Sequence, residues 1–118
     1  MPRPDAPDAT DRLQGTLDML ILKTLAAGPQ HGWGISHHLR RTSREVFQVQ
    51  QGSLYPALHR LEDRGWIVAE WGTTEQNRRA RFYTLTPAGR RRLDSETASW
   101  IEFVRAVHAV MSLEGQVA

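Results

Sequence analysis

Gln51 to Leu85 reads QGSLYPALHRLEDRGWIVAEWGTTEQNRRARFYTL, and the order of its residues decides the architecture. Leu54, Ala57, Leu58 and Leu61 recur at the three-and-four spacing that one face of an α-helix buries. Ser53 is placed as the N-cap of that helix, and Pro56 is tolerated in a first turn. Gly65, after Arg64, can take the left-handed conformation that stops it. Two short runs follow, Trp66–Trp71 and Arg81–Leu85. Both are rich in aromatic and β-branched residues and are predicted as strands. The polar segment Gly72–Asn77 suits a turn, which leaves Arg78 and Arg79 on the hairpin and Arg81 just beyond it.

Working outward, a first helix is expected over Gly15–Ala27, closed by Gly28-Pro29. Leu17, Met19, Leu20, Ile21, Leu22 and Leu25 surround it on nearly every side, so more than one face should be buried. A second helix is expected from Trp33 to about Ser43, entered through His31-Gly32, with Ile35 and Leu39 as its core pair. The linker Glu45–Gln51 carries Val46, Phe47 and Val49 and is read as a short extended piece. Downstream, Thr86-Pro87 reads as an N-cap followed by a first helical residue, and the last helix continues to about Ser112. The predicted order is α-α-α-β-β-α, mainly α with a small β-hairpin, which is the build of a winged helix-turn-helix. The expected division is a flexible tail over 1–12, a winged unit over 13–86, an association helix over 87–113 and a short tail over 114–118. Pro2, Pro4 and Pro7 among acids and small residues mark the first tail.

Charge placement points to a polyanion. Net charge is +2, but Ser36–Arg92 holds 11 Arg against 5 Asp/Glu, while the remainder holds 4 Lys/Arg against 8 acids. On a helical wheel Leu54, Leu58 and Leu61 point inward, leaving Ser53, Pro56, His59 and Arg60 outward with Tyr55 on the flank. Hydroxyl, imidazole and guanidinium groups on one face can donate to base edges or phosphates in a major groove. On the hairpin, adjacent arginines repel one another and gain nothing for folding, so an anion or minor groove opposite them explains Arg78 and Arg79. Asn77 precedes them, Arg81 follows, and Thr73 and Thr74 add weaker phosphate donors. The competing structural reading pairs these arginines with Glu70 or Glu75. Double-stranded DNA is the expected partner.

The last helix carries a second surface. Leu93, Trp100 and Val107 are spaced by sevens, with Phe103 and Val110 as companion positions, which is the seam of an association helix. Val104, Ile101 and Met111 widen it. Burial against a symmetry mate, with Leu17 and Ile21 of the first helix contributing, is the expected outcome, and packing within one chain is the alternative. Trp100 in such a seam is either a plain core anchor or a platform for a small aromatic effector.

These residues resemble the PadR family of bacterial transcriptional regulators. The similarity lies in LQGTLDMLILKTL (Leu13–Leu25), HGWGI (His31–Ile35), QGSLYPALHRLEDRGWI (Gln51–Ile67) and NRRARFYTLTPAGRRRL (Asn77–Leu93). The short final helix resembles the compact subgroup of that family. The resemblance implies a homodimer with one winged helix per protomer, repressing from a near-palindromic operator. It places Ser53, Tyr55 and His59 on the operator from the recognition helix, and Arg78 and Arg79 from the wing. Trp33 and Trp66 stand where the family pattern has Tyr and an aliphatic residue, and both are expected to be core substitutions.

Other function classes find little support. The chain has no cysteine, which removes disulfides, thiolate metal sites and a cysteine nucleophile. His37 and His38 are adjacent and diverge by about 100° on a helix. No phosphate loop or nucleophile elbow is present, so neither a metal, a cofactor nor an enzymatic activity is expected. No apolar run approaches a bilayer's thickness and no signal-peptide pattern opens the chain, so a cytoplasmic protein with no membrane partner is expected. The remaining alternative is a winged helix that binds protein, which should lack basic residues on helix and wing.

Overall fold

Leu54, Ala57, Leu58 and Leu61 form the buried stripe of a helix, and the remaining elements are arranged around it. In the computed structural model, the backbone is described for residues 9–112 and the side chains for 15–112. The elements are α1 (Ala9–Ala26), β1 (Gln30–His31), α2 (Gly32–Thr42), α3 (Gln51–Asp63), β2 (Ile67–Thr73), β3 (Arg79–Leu85) and α4 (Pro87–Met111). The three strands make one antiparallel sheet in the order β1-β3-β2. Ile67 pairs with Leu85 and Thr73 with Arg79, so β2 and β3 run their full lengths together. Helix and hairpin together give the winged helix-turn-helix, mainly α.

The core is drawn from every helix and from both long strands: Ile21, Leu22, Leu25, Ile35, Leu39, Leu54, Leu58, Leu61, Ile67, Tyr83 and Leu93 all lie in it. Ile21 is 0% exposed and Leu93 4% exposed within one protomer. This corrects their assignment to a dimer seam. Leu93 falls on the heptad, but α1 and α4 pack against each other within the chain and leave it nothing further to bury. Leu17 packs against the same core, as do Met19 and Leu20, so α1 is covered on several sides.

Helix boundaries shift where hydrogen bonds outweigh local signals. Helix α1 starts at Ala9, so residues 9–12 are helical rather than part of a tail; residues 1–8 lie outside the described residues. Gly15 costs roughly 1 kcal/mol inside a helix, which the cooperative extension of a segment anchored by Ile21, Leu22 and Leu25 absorbs. Helix α3 is capped by Gln50, not Ser53, because the N–H groups of Ser53 and Leu54 both donate to the Gln50 carbonyl at 3.0 Å. Pro56 consequently sits in the second turn, where its missing N–H removes the bond to the Gly52 carbonyl. The linker before α3 is no strand, since no partner strand reaches it; Arg44 and Glu45 turn the chain with φ of 54° and 71°.

Two features were not anticipated. Strand β1 is only two residues long, and Gln30 and His31 pair with Tyr83 and Phe82. His31 also caps α2, its Nδ1 accepting from the Gly34 N–H at 3.1 Å. At the other end of the sheet, Thr86 accepts from the Gly89 N–H at 3.0 Å and donates to the Gly65 carbonyl at 2.7 Å. A Cβ on Gly89 would run into the Trp66 carbonyl, so α4 begins hard against the junction of α3 and β2. Thr86→Ala removes both bonds and should lower stability by about 1–2 kcal/mol. The expected readout is a lower denaturation midpoint with an unchanged denaturant slope.

The tryptophans depart from expectation. Trp33 is 58% exposed, not a core residue, with its ring stacked on His37 at 4.9 Å. Trp66 packs on the edge of the core, half-buried, with the guanidinium groups of Arg64 and Arg92 at 5.2 and 4.8 Å from its ring.

Candidate nucleic-acid interface

Burying Leu54, Ala57, Leu58 and Leu61 leaves Ser53, Tyr55, Pro56 and His59 exposed on the other side of α3. Arg60 takes a different course. Its Nη2 donates to Asp18 Oδ1 at 2.9 Å, and both side chains are partly buried. Burial pushes the Asp18 carboxyl above its ordinary value, and the Arg60 charge and hydrogen bond only partly oppose that. The pair ties α3 to α1, so the Arg60 guanidinium is engaged within the fold.

The wing is built by its own hydrogen bonds. Thr74 N–H donates to the Arg78 carbonyl at 2.8 Å and Asn77 N–H to the Thr74 carbonyl at 2.9 Å. The Arg78 N–H donates to Thr74 Oγ1 at 3.1 Å. Asn77 takes a left-handed φ of 62°, a conformation its short side chain tolerates. Thr74 thus shapes the loop, while Thr73, Asn77, Arg78 and Arg79 are exposed on it. Among the described residues neither Arg78 nor Arg79 has a carboxylate partner.

Arg81 is spent differently. Its Nη2 donates to Glu62 Oε2 at 3.0 Å, joining β3 to the end of α3, and its guanidinium lies 5.9 Å from the Tyr83 ring. Glu70 and Glu75, the competing partners for Arg78 and Arg79, form no ion pair with either among the described residues. Desolvation holds the Tyr83 phenol above its usual value, with the Arg81 charge opposing it.

A cleft of about 630 Å3 runs between the start of α2, the flank of α3 and the wing. Tyr55 borders it from α3; Thr74, Gln76, Arg78 and Arg79 border it from the wing; Arg81 and Tyr83 form part of its floor. Gly32 makes the arrangement possible, because a Cβ there would stand 2.8 Å from the Tyr55 hydroxyl. Among the described residues no carboxylate lines this cleft. Trp33 and Trp71 are among the lining residues that the sequence reading did not place at the site. Trp71 shares strand parity with buried Ile67, yet it lies at the end of β2 that runs out into the wing. It is 60% exposed, with the Arg79 guanidinium 4.9 Å from its ring.

The far end of α4 presents the other predicted surface. Trp100, Ile101, Phe103, Val107, Val110 and Met111 are exposed and Val104 is half-buried. Trp100 and Phe103 lie 5.8 Å apart with their rings tilted. Residue 113 and the short terminal tail lie outside the described residues. No group of His, Asp or Glu among the described residues could hold a metal ion, and none of their helices is long and apolar enough to cross a membrane.

Comparison with known proteins gives a consistent family. The model described as the PadR-like family of transcriptional regulators matches residues 21–95. A transcriptional regulator of Mycobacterium tuberculosis is 38% identical over 87 residues, covering 74% of this chain and 78% of that protein. A solved transcriptional regulator from Clostridium thermocellum superposes with a TM-score of 0.75 at 28% identity, covering 84% of this chain and 96% of that one. A PadR family transcriptional regulator from Eggerthella lenta superposes with a TM-score of 0.71 at 28% identity, covering 85% and 86%.

Proposed function

Because this chain belongs to the PadR-like family of transcriptional regulators, we propose that it binds promoter DNA as a homodimer and represses transcription from a near-palindromic operator. Its relatives are regulators, not enzymes, and the reading concerns how it holds DNA. In this reading residues 13–86 contact DNA in the cytoplasm and residues 87–113 hold the dimer.

One observation carries the reading: Tyr55 of α3 and the wing's Arg78 and Arg79, neither paired with a carboxylate among the described residues, border a single cleft. A duplex offering its major groove to Ser53, Pro56 and His59 would meet the wing with its backbone or minor groove, where Thr73, Thr74 and Asn77 are within the same hairpin. Arg60 and Arg81 act from behind, fixing α3 to α1 and to β3. Two recognition helices in successive major grooves would lie about 34 Å apart.

The apolar stripe of α4 supports the dimer. Val110 is 85% exposed and Phe103 58% exposed, and water-facing side chains of this size at heptad spacing are covered when a second copy packs against them. Leu93 and Ile21 stay in the protomer core, so within 87–113 the interface would centre on Trp100 to Met111, with Leu17 at its margin.

The test separates base reading from backbone holding. Replacing Ser53 or His59 with alanine should change which operator sequences are preferred in a selection from random duplexes. Binding to random-sequence DNA should fall less than threefold, since phosphate contacts are left intact. Equal losses on every sequence would remove α3 from base recognition.

A further inference from the structure

Two large indoles face water on the side of the molecule that carries the wing arginines. Trp33 opens α2 and Trp71 lies on β2, and both border the cleft that also holds Tyr55, Arg78 and Arg79. Leaving more than half of each residue exposed forgoes apolar burial that a core position would supply. Neither ring is loose. Trp33 lies 4.9 Å from the His37 ring at an interplanar angle of 9°, and Trp71 carries the Arg79 guanidinium 4.9 Å above it.

We infer that Trp33 and Trp71 are the two walls of a strand-gripping site, packing on the deoxyribose faces of one DNA strand while Arg78 and Arg79 take its phosphates. The inference rests on the DNA reading above and adds residues and a division of labour to it. A sugar–phosphate strand alternates compact anions with apolar sugar faces. The cleft brings guanidinium and indole groups together and, among the described residues, has no carboxylate in its lining to repel it. Its position fits as well: Tyr55 belongs to α3 and Arg78 to the wing, so a duplex touching both elements lays a strand across it. Trp71 has a second role as a positioning residue. Cation–π stacking holds the Arg79 side chain in place before DNA arrives, so less of its freedom is lost on binding.

The two walls have different signatures in salt. An indole packed on a sugar displaces no counterion, whereas a guanidinium on a phosphate does. Trp33→Ala should weaken binding about tenfold with the salt slope unchanged. Trp71→Ala should weaken it by at least as much and also make the slope shallower by about one per protomer, because Arg79 loses its support. Trp71→Phe keeps an aromatic face and should recover most of that slope.

The measurement is fluorescence anisotropy of a labelled random-sequence duplex, titrated with the full chain and its variants across a range of salt. Thermal melting of each variant checks the fold, and neither exposed ring should shift it by more than a degree or two. If the parent chain binds and both alanine variants match it in affinity and slope, the strand-gripping site is wrong while the DNA reading stands. If Trp71→Ala and Trp71→Phe flatten the slope equally, the stacking role is wrong. If the parent chain itself fails to bind duplex at low salt, the DNA reading falls and takes this inference with it.

Discussion

Removing Arg78 and Arg79 together should cut the salt dependence of DNA binding to about half. A dimer neutralising on the order of eight phosphates loses affinity with a log–log slope near −7. Two arginines on each of two wings account for about four of those contacts, so the double alanine variant should show a slope near −4. Between 50 and 200 mM salt, the parent would lose roughly 10⁴-fold in affinity and the variant on the order of 10²-fold. The loss should be uniform across sequences, because a phosphate carries no sequence. Folding should be untouched, since both side chains are exposed and neither has a carboxylate partner among the described residues. An unchanged slope in the double variant would remove the wing from the DNA interface.

If the chain pairs as proposed, Trp100→Glu should yield a monomer, with light scattering reporting 13.4 kDa where the parent gives twice that mass. A two-fold interface presents each substitution twice, and an unpaired buried carboxylate costs about 3–5 kcal/mol. The monomer should remain folded: Trp100 is exposed within one chain, and its described ring partner is Phe103 on the same helix. Halving the number of wings also halves the salt slope, so this variant and the double arginine variant look alike on DNA. Mass separates them, because only the Trp100 variant changes it. A Trp100→Glu protein that still scatters as a dimer would place the interface elsewhere.

The elements that repeat at short range were legible before any coordinates. Leu54, Ala57, Leu58 and Leu61 announce α3 through spacing alone, and Thr86-Pro87 announces α4 through the chemistry of a cap. The hairpin was legible too, although hydrogen bonding extends its strands to Thr73 at one end and back to Arg79 at the other. What escaped depends on partners distant in sequence. Arg60 reads as an outward arginine until Asp18, 42 residues earlier, is seen beside it. Arg81 reads as a wing cation until Glu62 is found 3.0 Å away. Strand β1 exists only because β3 lies next to it, and a two-residue strand has no period to detect.

The sequence by itself determined the order of the elements, the buried stripe of α3 and the basic character of the wing, because each follows from neighbours within a turn or a hairpin. Only the tertiary structure decided which arginines are spent inside the fold and which are left for a partner. It also decided that Leu93 and Ile21 belong to the core, and that Trp33 and Trp71 face water across a common cleft. Heptad spacing and strand parity specify a direction around one element's axis. Whether a neighbour already occupies that direction is settled when the helices and the sheet close on one another.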